Sequence, residues 1–361
     1  MRTTPMLRPK VVILMKWNKK KDVLALMVGH GKSLDGSWDP GCAYGKYTEA
    51  GLMLPIVKAA VDLLRKSGVK VITDADDANN RNMKSSVAWA NKQKAKIYMS
   101  VHCDYSKAAS GVYPLYKDSA DKKLAEAVGK KVAKTLGMKF RGVAKRTDLY
   151  ELNVPTAEAC CIFETGAIKA DLKILKESKK YGRALAKAIL KYIGVPVYVS
   201  NKTKIAKKAT EYAYAGAPKK AKYPTGKPKP EYKKGLKAAY PDRSSWGKAP
   251  KVGASCDVYA GTSVRGSGVD PKFPRALSSQ IKYLKNSNKY SLVKKPTAKT
   301  LKNGDMIIWQ KKDSTKGHIC IFVDGRIKHA SFEKWYGRTT KNVASQLSTK
   351  GKKFVRVYRA K

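Results

Sequence analysis

The chain of 361 residues is longer than one typical hydrophobic core requires, so we expect two domains joined by a connector. It carries 76 lysines and arginines against 27 aspartates and glutamates, a formal net charge of +49 at pH 7. This balance favours a polyanionic partner such as nucleic acid, anionic lipid or wall polymers, and charge alone does not choose among them. A solvated basic surface with no dedicated partner is the alternative.

The N-terminal segment and the cysteines exclude several classes of protein. Residues 11–15 form an apolar run that is shorter than the roughly 7–15 residues of an export signal core. No segment approaches the roughly 18 apolar residues of a membrane span. We therefore expect synthesis in the cytoplasm without a signal peptide. The 6 cysteines show no C-x-x-C spacing, which is typical of reduced thiols rather than of a disulfide framework.

Strand-like and helix-like segments alternate between residues 22 and 194. Short apolar runs predict strands, and apolar residues recurring at helical spacing predict helices. The alternation predicts an α/β domain over residues 1–197, a three-layer sandwich with a mostly parallel sheet. The predicted strands are 22–28, 69–73, 97–101 and 159–163, and the predicted helices are 52–64, 83–91, 124–136 and 172–193.

Polar residues follow three of these predicted strands within one or two positions: His30, His102 and Glu164. Sites in parallel sheets collect just beyond the carboxyl ends of the strands. Glu49, in the loop-to-helix segment after His30, adds a carboxylate to the two imidazoles, and a catalytic zinc uses about three such ligands. We therefore predict a metal site at His30, Glu49 and His102. The long spacing makes the motif weak, and the alternative is that each side chain is satisfied in the core or at the surface.

The composition changes between residues 198 and 250. Residues 201–250 hold 14 lysines and arginines, 3 acids and 6 prolines, with few aliphatic residues at any period. This composition is typical of a basic, partly extended linker. Two roles are open for the interleaved tyrosines, stacking on sugar rings or bases and spacing within a charged tether. These tyrosines are Tyr212, Tyr214, Tyr223, Tyr232 and Tyr240.

Residues 251–361 form a second predicted domain. Helical patterns begin at Cys256 and near Ser278. Helices packed on an antiparallel sheet are the α+β pattern. The short strands predicted here are 306–310, 319–323, 326–329 and 354–358.

Cys256 has the position expected of a nucleophile. It opens a predicted helix, whose positive end favours a thiolate. His318 begins one predicted strand and His329 ends the next, so a base and an orienting partner are both available. Three other cysteines lie in apolar runs and are interpreted as core residues: Cys160, Cys161 and Cys320.

A series of short motifs runs in order through nearly the whole first domain. They are Gly29-His30-Gly31 after a strand, Asp39-Pro40-Gly41, Glu49 at a helix start, Ser100-Val101-His102-Cys103-Asp104, Ser110-Gly111-Val112, Arg141-Gly142-Val143, Leu149-Tyr150, Pro155-Thr156 and Phe163-Glu164-Thr165-Gly166-Ala167-Ile168. With these motifs, residues 23–194 resemble the zinc-dependent N-acetylmuramoyl-L-alanine amidases. This α/β family is common among sporulation enzymes and phage endolysins.

The resemblance implies zinc bound by His30, Glu49 and His102, with Glu164 as the catalytic acid and base. Such enzymes cut the amide between the lactyl group of N-acetylmuramic acid and the L-alanine of the stem peptide. A metal activates water and polarises the carbonyl, while a nearby carboxylate moves the proton. Asp104 departs from the Asn usual in the family, and we expect it to alter loop contacts rather than chemistry.

Three segments of the second domain carry another resemblance. They are residues 301–309, 317–323 and 327–330, and with Cys256 they resemble the papain-like NlpC-type cysteine peptidases of cell walls, which cut within the stem peptide. The resemblance implies Cys256 as nucleophile, His318 as base and His329 as its orienting partner. The chain has Ser255-Cys256-Asp257-Val258 where that family usually has Asp-Cys-Ser-Gly. A wall-binding domain with a buried thiol is therefore the alternative.

Two wall-cutting modules on one chain without a signal peptide are typical of a phage endolysin, which acts on the wall after release at lysis. A bacterial autolysin exported by another route is the alternative origin. Peptidoglycan is then the main partner, and the basic surface attracts anionic wall polymers. A nucleic-acid binder is the alternative from another class, and we do not expect nucleic acid as the physiological partner. That alternative explains the charge but assigns no role to the histidines and glutamates at strand ends.

Overall fold

The computed structural model describes residues 15–76, 81–213, 229–241, 255–331 and 335–361. The chain divides into two compact units, Met1–Tyr198 and Val199–Lys361. Residues 11–14 of the N-terminal apolar run, Tyr214 and Tyr223 lie outside the described residues. Across the described ranges, no helix combines the length and apolar composition needed to cross a membrane.

The first unit alternates strands and helices along the chain. Its strands are β1 (Val23–Val28), β2 (Gly31–Lys32), β3 (Trp38–Asp39), β4 (Ala43–Tyr44), β5 (Tyr47–Thr48), β6 (Lys70–Ile72), β7 (Ile97–Asp104), β8 (Leu115–Tyr116), β9 (Ala144–Lys145) and β10 (Ala159–Ala167). Its helices are α1 (Glu49–Lys66), α2 (Met83–Lys92), α3 (Ser119–Leu136), α4 (Tyr150–Asn153), α5 (Leu172–Leu175) and α6 (Ser178–Tyr192).

The main sheet of this unit has the order β6-β1-β7-β10-β8-β9. The first four strands pair in parallel, and β8 is antiparallel to β10. Successive side chains of the buried strand β1 enter different cores, because neighbouring strand residues point to opposite faces. Leu24 and Leu26 pack with α1, α3 and α6, whereas Ala25 and Met27 pack with α2 and α4. The predicted α/β architecture with a mostly parallel sheet is confirmed, and helices cover both faces.

Local signals place several helix ends. The carboxylate of Asp118 caps the first turn of α3, and the side chain of Asp121 bonds back in a capping box. The same helix ends at Gly137, whose φ of 71° lies in the left-handed region. The single helix predicted for residues 172–193 is wrong, because the chain forms α5 and α6 with a break at Glu177.

Strands β7 and β10 extend further than the apolar runs predict. His102 lies inside β7 and Glu164 lies inside β10, rather than just beyond them, and the two residues are register partners. Parallel ladder hydrogen bonds do not depend on side-chain polarity, so the strands continue past their apolar part.

The second unit combines helices with one antiparallel sheet of order β11-β16-β12-β13-β14-β15. Its helices are α7 (Asn201–Tyr212), α8 (Pro230–Ala239), α9 (Cys256–Gly266), α10 (Leu277–Asn286) and α11 (Val343–Leu347). Its strands are β11 (Tyr290–Leu292), β12 (Met306–Lys311), β13 (Gly317–Val323), β14 (Arg326–Ser331), β15 (Trp335–Thr340) and β16 (Lys352–Ala360).

The prediction of a linker over residues 198–250 is wrong where the structure has α7 and α8. Ile205 and Ala209 of α7 are fully buried in the core of the second unit. Tyr212, Tyr232 and Tyr240 are also buried, so these three rings are not available to stack on sugars or bases. The apolar residues of α7 do recur at helical spacing, but the many lysines between them hide the pattern.

Candidate functional site

The end of β1 brings His30 into the site through a tight turn. His30 has a φ of 64°, a left-handed conformation that is uncommon for residues other than glycine. Gly29 precedes it, and a Cβ on this glycine would overlap the ring of His102. The absence of a side chain at residue 29 therefore allows β1 and the His102 ring to approach each other closely.

Glu49 lies between the two imidazoles as the first residue of α1 and is only 3% exposed. Its Oε2 is 3.4 Å from His30 Nε2, and its Oε1 is 3.0 Å from His102 Nδ1. One ligand atom from each of these three residues lies within 4.8 Å of the others. The structure thus brings together the three residues that the sequence nominates for a metal.

Backbone groups hold the Glu49 carboxylate in place. The N–H of Cys42 donates to Oε2 at 3.1 Å, and the N–H of Cys103 donates to Oε1 at 3.0 Å. Burial raises the pKa of Glu49, but His102, His30 and the Cys42 N–H outweigh it and lower the pKa to about 2. The carboxylate is therefore ionised, as a metal ligand must be.

The outer nitrogen of each imidazole faces a carboxylate. His30 Nδ1 lies 2.8 Å from Asp39 Oδ2, and His102 Nε2 lies 3.4 Å from Glu151 Oε2. Burial lowers the pKa of His102, but Glu151 and Glu49 raise it well above the ordinary value. A cation bound beside Glu49 would displace the inner proton of His102, while the outer nitrogens keep theirs, so that His30 Nε2 and His102 Nδ1 would face the ion.

This donor set fits zinc. Two imidazoles and one carboxylate are ligands that zinc prefers, and ligands about 2.1 Å from a tetrahedral ion lie roughly 3.4 Å apart. The separations of 3.4 and 3.0 Å from Glu49 to the imidazoles are close to that spacing. A second group of possible ligands, Cys42, Glu49 and Cys103, shares the same carboxylate.

Glu164 lies beside His102 on the neighbouring strand. Burial raises the pKa of Glu164 to about 8, opposed by His102 and supported by Glu49 and Asp104. Its Oε2 is enclosed and has no hydrogen-bond partner among the described residues. A buried carboxyl with a pKa near neutrality can both release and accept a proton.

His30, Glu49 and His102 together are called the metal-type cluster. A cavity of about 560 Å³ borders this cluster. Its lining includes His30, His102 and Glu151 but not Glu164. Arg81 also lines this cavity and stacks on Trp89, with 4.5 Å from its guanidinium carbon to the ring centre. The wall of the cavity therefore includes a guanidinium as well as the two imidazoles.

Asp104, the last residue of β7, contacts the segment that carries Arg141. Its Oδ2 accepts a hydrogen bond of 2.8 Å from Arg141 Nη1, and its Oδ1 accepts one of 2.9 Å from the N–H of Tyr105. Arg141 also stacks on Tyr113. Asp104 thus joins two loops of the first unit.

The second unit brings Cys256, His318 and His329 to one cavity of about 630 Å³. Cys256 is the first residue of α9, and His318 and His329 lie on the paired strands β13 and β14. His318 Nε2 is 3.0 Å from His329 Nδ1. Burial raises the pKa of the Cys256 thiol to about 11, opposed by the N–H of Ile319. The thiol is therefore protonated at neutral pH and needs a base to become a nucleophile.

The remaining cysteines of interest are core residues, as the sequence predicts. Cys160, Cys161 and Cys320 are all buried. Sequence reasoning assigns no role to Asp39 or Glu151, the two carboxylates behind the imidazoles. The only signal for Glu151 is a charged residue between apolar neighbours, since Tyr150 and Leu152 flank it.

Comparisons with known proteins concern the first unit. Residues 24–195 match the family described as N-acetylmuramoyl-L-alanine amidase. None of the curated proteins matches the chain. Among solved structures, an N-acetylmuramoyl-L-alanine amidase of Nostoc punctiforme is 24% identical, with a TM-score of 0.44, and the match covers 48% of this chain and 98% of that one.

Two further solved structures are similar over the same share of the chain. The catalytic domain of an N-acetylmuramoyl-L-alanine amidase from Bacillus (Paenibacillus) polymyxa is 22% identical, with a TM-score of 0.43, and covers 48% of this chain and 99% of that one. An N-acetylmuramoyl-L-alanine amidase from Clostridium difficile is 20% identical, with a TM-score of 0.42 and coverage of 48% and 98%. The family match and these solved structures therefore concern the same part of the chain, residues 24–195, which lies within the first unit.

Proposed function

We propose that the first unit is a zinc-dependent peptidoglycan hydrolase that cleaves the amide between N-acetylmuramic acid and the L-alanine of the stem peptide. The observation that carries the proposal is the convergence of His30, Glu49 and His102 within 4.8 Å, in a domain of the matching family. The described residues contain one other group of possible ligands, and it uses the same Glu49.

Each residue has a defined part in this reaction. His30, Glu49 and His102 would hold the zinc ion, whose chemistry when bound would be to activate water and polarise the scissile carbonyl. Glu164 removes the proton from the attacking water and delivers it to the departing nitrogen of L-alanine. Its pKa of about 8 in the metal-free protein suits both steps, because the best proton-transfer groups titrate near the working pH.

Mass spectrometry of fragments released from defined cell walls tests this function. We expect new L-alanine amino termini with the full chain, and their loss after chelation or in the Glu49→Ala variant. Glu158→Gln is the matched control, because Glu158 has a side chain that is 65% exposed and pairs only with Lys96 in the structure. Retention of amide cleavage after complete zinc removal would contradict the proposal.

We propose a second activity for the other unit, a papain-like endopeptidase of the NlpC type that cuts within the stem peptide. The supporting observation is the shared cavity of Cys256, His318 and His329, with the two imidazoles 3.0 Å apart. Cys256 attacks the peptide carbonyl, and His318, oriented by His329, accepts the thiol proton and returns it to the amine that departs. Water then cleaves the thioester and releases the acyl fragment from Cys256. A domain that only binds the wall is the alternative outcome.

The two activities separate by their sensitivity to different treatments. We expect Cys256→Ala to abolish stem-peptide cleavage while amide cleavage continues, and we expect chelation to have the reverse effect. If Cys256→Ala and the wild type release the same peptide products, the second unit is not a cysteine peptidase. Retained wall binding in that case identifies it as a binding domain.

We further propose that the basic surface attracts anionic wall polymers, and that the protein acts on the wall after release, as endolysins do. On the first unit, a groove lined by Lys179, Arg183 and Lys187 has a volume of about 400 Å³. Binding to walls with and without their phosphate-bearing polymers, at two salt concentrations, tests this role. Stronger binding to DNA than to intact walls would favour the nucleic-acid alternative.

A further inference from the structure

A buried carboxylate outside the metal-type cluster contacts one of its imidazoles. Glu151 lies on the short helix α4, is 8% exposed, and places Oε2 3.4 Å from His102 Nε2. Its other oxygen, Oε1, accepts a hydrogen bond of 2.8 Å from the hydroxyl of Tyr98. One oxygen thus accepts a hydrogen bond from a strand residue of the sheet core, and the other is at ion-pair distance from His102 Nε2, a buried nitrogen that has no shorter hydrogen bond among the described residues.

The geometry excludes Glu151 as a ligand of the same ion. His102 turns Nδ1 towards Glu49 Oε1 at 3.0 Å and Nε2 towards Glu151. The lone-pair directions of the two ring nitrogens diverge, so an ion held on Nδ1 is out of reach of a group that faces Nε2. Glu151 therefore acts on the ion only through the His102 ring.

The other imidazole of the cluster has the same arrangement. His30 faces Glu49 with Nε2 and places Nδ1 2.8 Å from Asp39 Oδ2. Asp39 has a side chain that is 33% exposed, whereas the side chain of Glu151 is only 10% exposed. A buried ionised group is held in place only when it is paired and hydrogen-bonded, which is the situation of Glu151 between Tyr98 and His102.

We infer that Glu151 is a positioning residue: it accepts the Nε2 proton of His102, and so leaves Nδ1 unprotonated and directed at the ion. Tyr98 anchors Glu151 by donating to its second oxygen. This inference rests on the proposed zinc-dependent function. Carboxylates that accept from a ligating histidine fix its tautomer and ring orientation, and their loss typically weakens metal binding about 10–100-fold.

Zinc titration of the metal-free full chain against a chromophoric competing chelator tests the inference. We expect Glu151→Gln to weaken zinc binding about 10–100-fold. Tyr98→Phe removes only the anchoring hydrogen bond, so we expect a loss of about tenfold or less. Glu158→Gln, which removes an exposed carboxylate from the same unit, is expected to bind zinc as the wild type does.

A second measurement does not depend on a folded variant. The chain has only 4 histidines, so long-range ¹H–¹⁵N spectra can resolve the tautomer of each ring in the wild type. We expect His102 to carry its proton on Nε2 in the zinc-loaded protein. A proton on Nδ1, with zinc on Nε2, would overturn the inference even if Glu151→Gln fails to fold.

The outcomes separate this inference from the proposed function. If the wild type binds zinc stoichiometrically and Glu151→Gln binds it with equal affinity, the positioning role is wrong. The amidase proposal is not affected by that result. If the wild type does not bind zinc, the proposed zinc-dependent function is wrong. Weaker binding in Glu151→Gln, with His102 protonated on Nε2 in the wild type, supports both.

Discussion

Each unit contains a pair of histidines whose rings meet edge to face. In the first unit, the rings of His30 and His102 are 5.1 Å apart at an interplanar angle of 84°. In the second, the rings of His318 and His329 are 5.0 Å apart at 90°. The two pairs thus have nearly the same internal geometry, and the difference between them lies in what surrounds each pair.

Carboxylates surround the first pair, and a thiol shares the cavity of the second. Glu49 faces both rings of the first pair, and Asp39 and Glu151 face their outer nitrogens. In the second unit the rings share a nitrogen-to-nitrogen contact of 3.0 Å and line a cavity with Cys256. Anionic oxygens favour a cation, whereas linked imidazoles beside a thiol favour proton transfer, so the neighbours rather than the rings decide the chemistry.

The largest expected effect tests Glu164, the proposed catalytic carboxyl of the first site. Glu164→Gln keeps the size of the side chain but removes its ability to move a proton, so we expect kcat for amide cleavage to fall about 10²- to 10⁴-fold. Zinc content and stem-peptide cleavage are expected to stay unchanged. If this variant cleaves the amide at the full rate, Glu164 is not the proton-transfer group. Another group would then have to transfer the proton.

A stability measurement tests whether the second unit includes α8. Tyr232 is fully buried among Tyr212, Tyr259 and Ala330. We expect Tyr232→Ala to lower the free energy of unfolding of this unit by roughly 3 kcal/mol or more, as truncation of a buried aromatic does. The exposed neighbour Lys233 provides the control, since Lys233→Ala is expected to change stability by less than about 0.5 kcal/mol. If Tyr232→Ala and Lys233→Ala have the same free energy of unfolding, the interpretation of this segment as a linker would be supported instead.

Buried aspartates in the two units predict opposite dependence of stability on pH. Burial raises the pKa of Asp74 from 3.8 to about 6, although its oxygens accept hydrogen bonds from Val28 and Arg81. The folded state therefore binds the proton more tightly than the unfolded state, and stability falls as pH rises from about 4 through 6. The shift from 3.8 to about 6 corresponds to about 3 kcal/mol at most.

Thermal unfolding at pH 4 to 7 checks this prediction. We expect the Tm of Asp74→Asn relative to the wild type to increase as pH rises. Asp270 in the second unit is the contrast, because Lys289, Tyr283 and Tyr290 outweigh burial and lower its pKa. Its contribution to stability is present above the unfolded-state pKa and is lost as pH falls. A flat difference between wild type and Asp74→Asn would contradict the raised pKa.

The smallest expected effect concerns the close approach behind His102. A methyl group at residue 29 would overlap the His102 ring, so we expect Gly29→Ala to displace the imidazole and weaken zinc binding about tenfold or more. Gly36→Ala is the control for the loss of a glycine, because its φ of 87° also disfavours alanine but no neighbouring atom lies within 4 Å of the position its Cβ would take. Equal zinc affinity in both variants would mean that the His102 ring can move away from the added methyl group and still bind zinc.

Much of the first unit could be predicted from sequence because its signals are local. Apolar runs and helical spacing indicate the alternation of β1, α1, β7 and α3, and the residue types His and Glu near strand ends indicate a metal. The short antiparallel strand β8 could not be predicted, since two residues carry no periodicity. The extension of β7 through His102 was missed because a polar residue ended the apolar pattern.

The positions that sequence reasoning missed depend on contacts between distant segments. Glu151 acquires its proposed role only from Tyr98 and His102, which lie on β7, and its apolar neighbours in sequence indicate burial but not these partners. Helices α7 and α8 were missed for a different reason. Their buried faces are narrow and the remaining positions are rich in lysine, so composition outweighed the helical spacing.

The register between β7 and β10 makes His102 and Glu164 direct partners in adjacent strands. A slip of a single residue would turn one of these side chains to the opposite side of the sheet. In a chain that has not paired β7 with β10 in this register, the proposed ligand His102 and the proposed acid Glu164 are therefore not next to each other. The proposed chemistry therefore depends on a contact between strands that are distant in sequence, and it requires the completed central sheet.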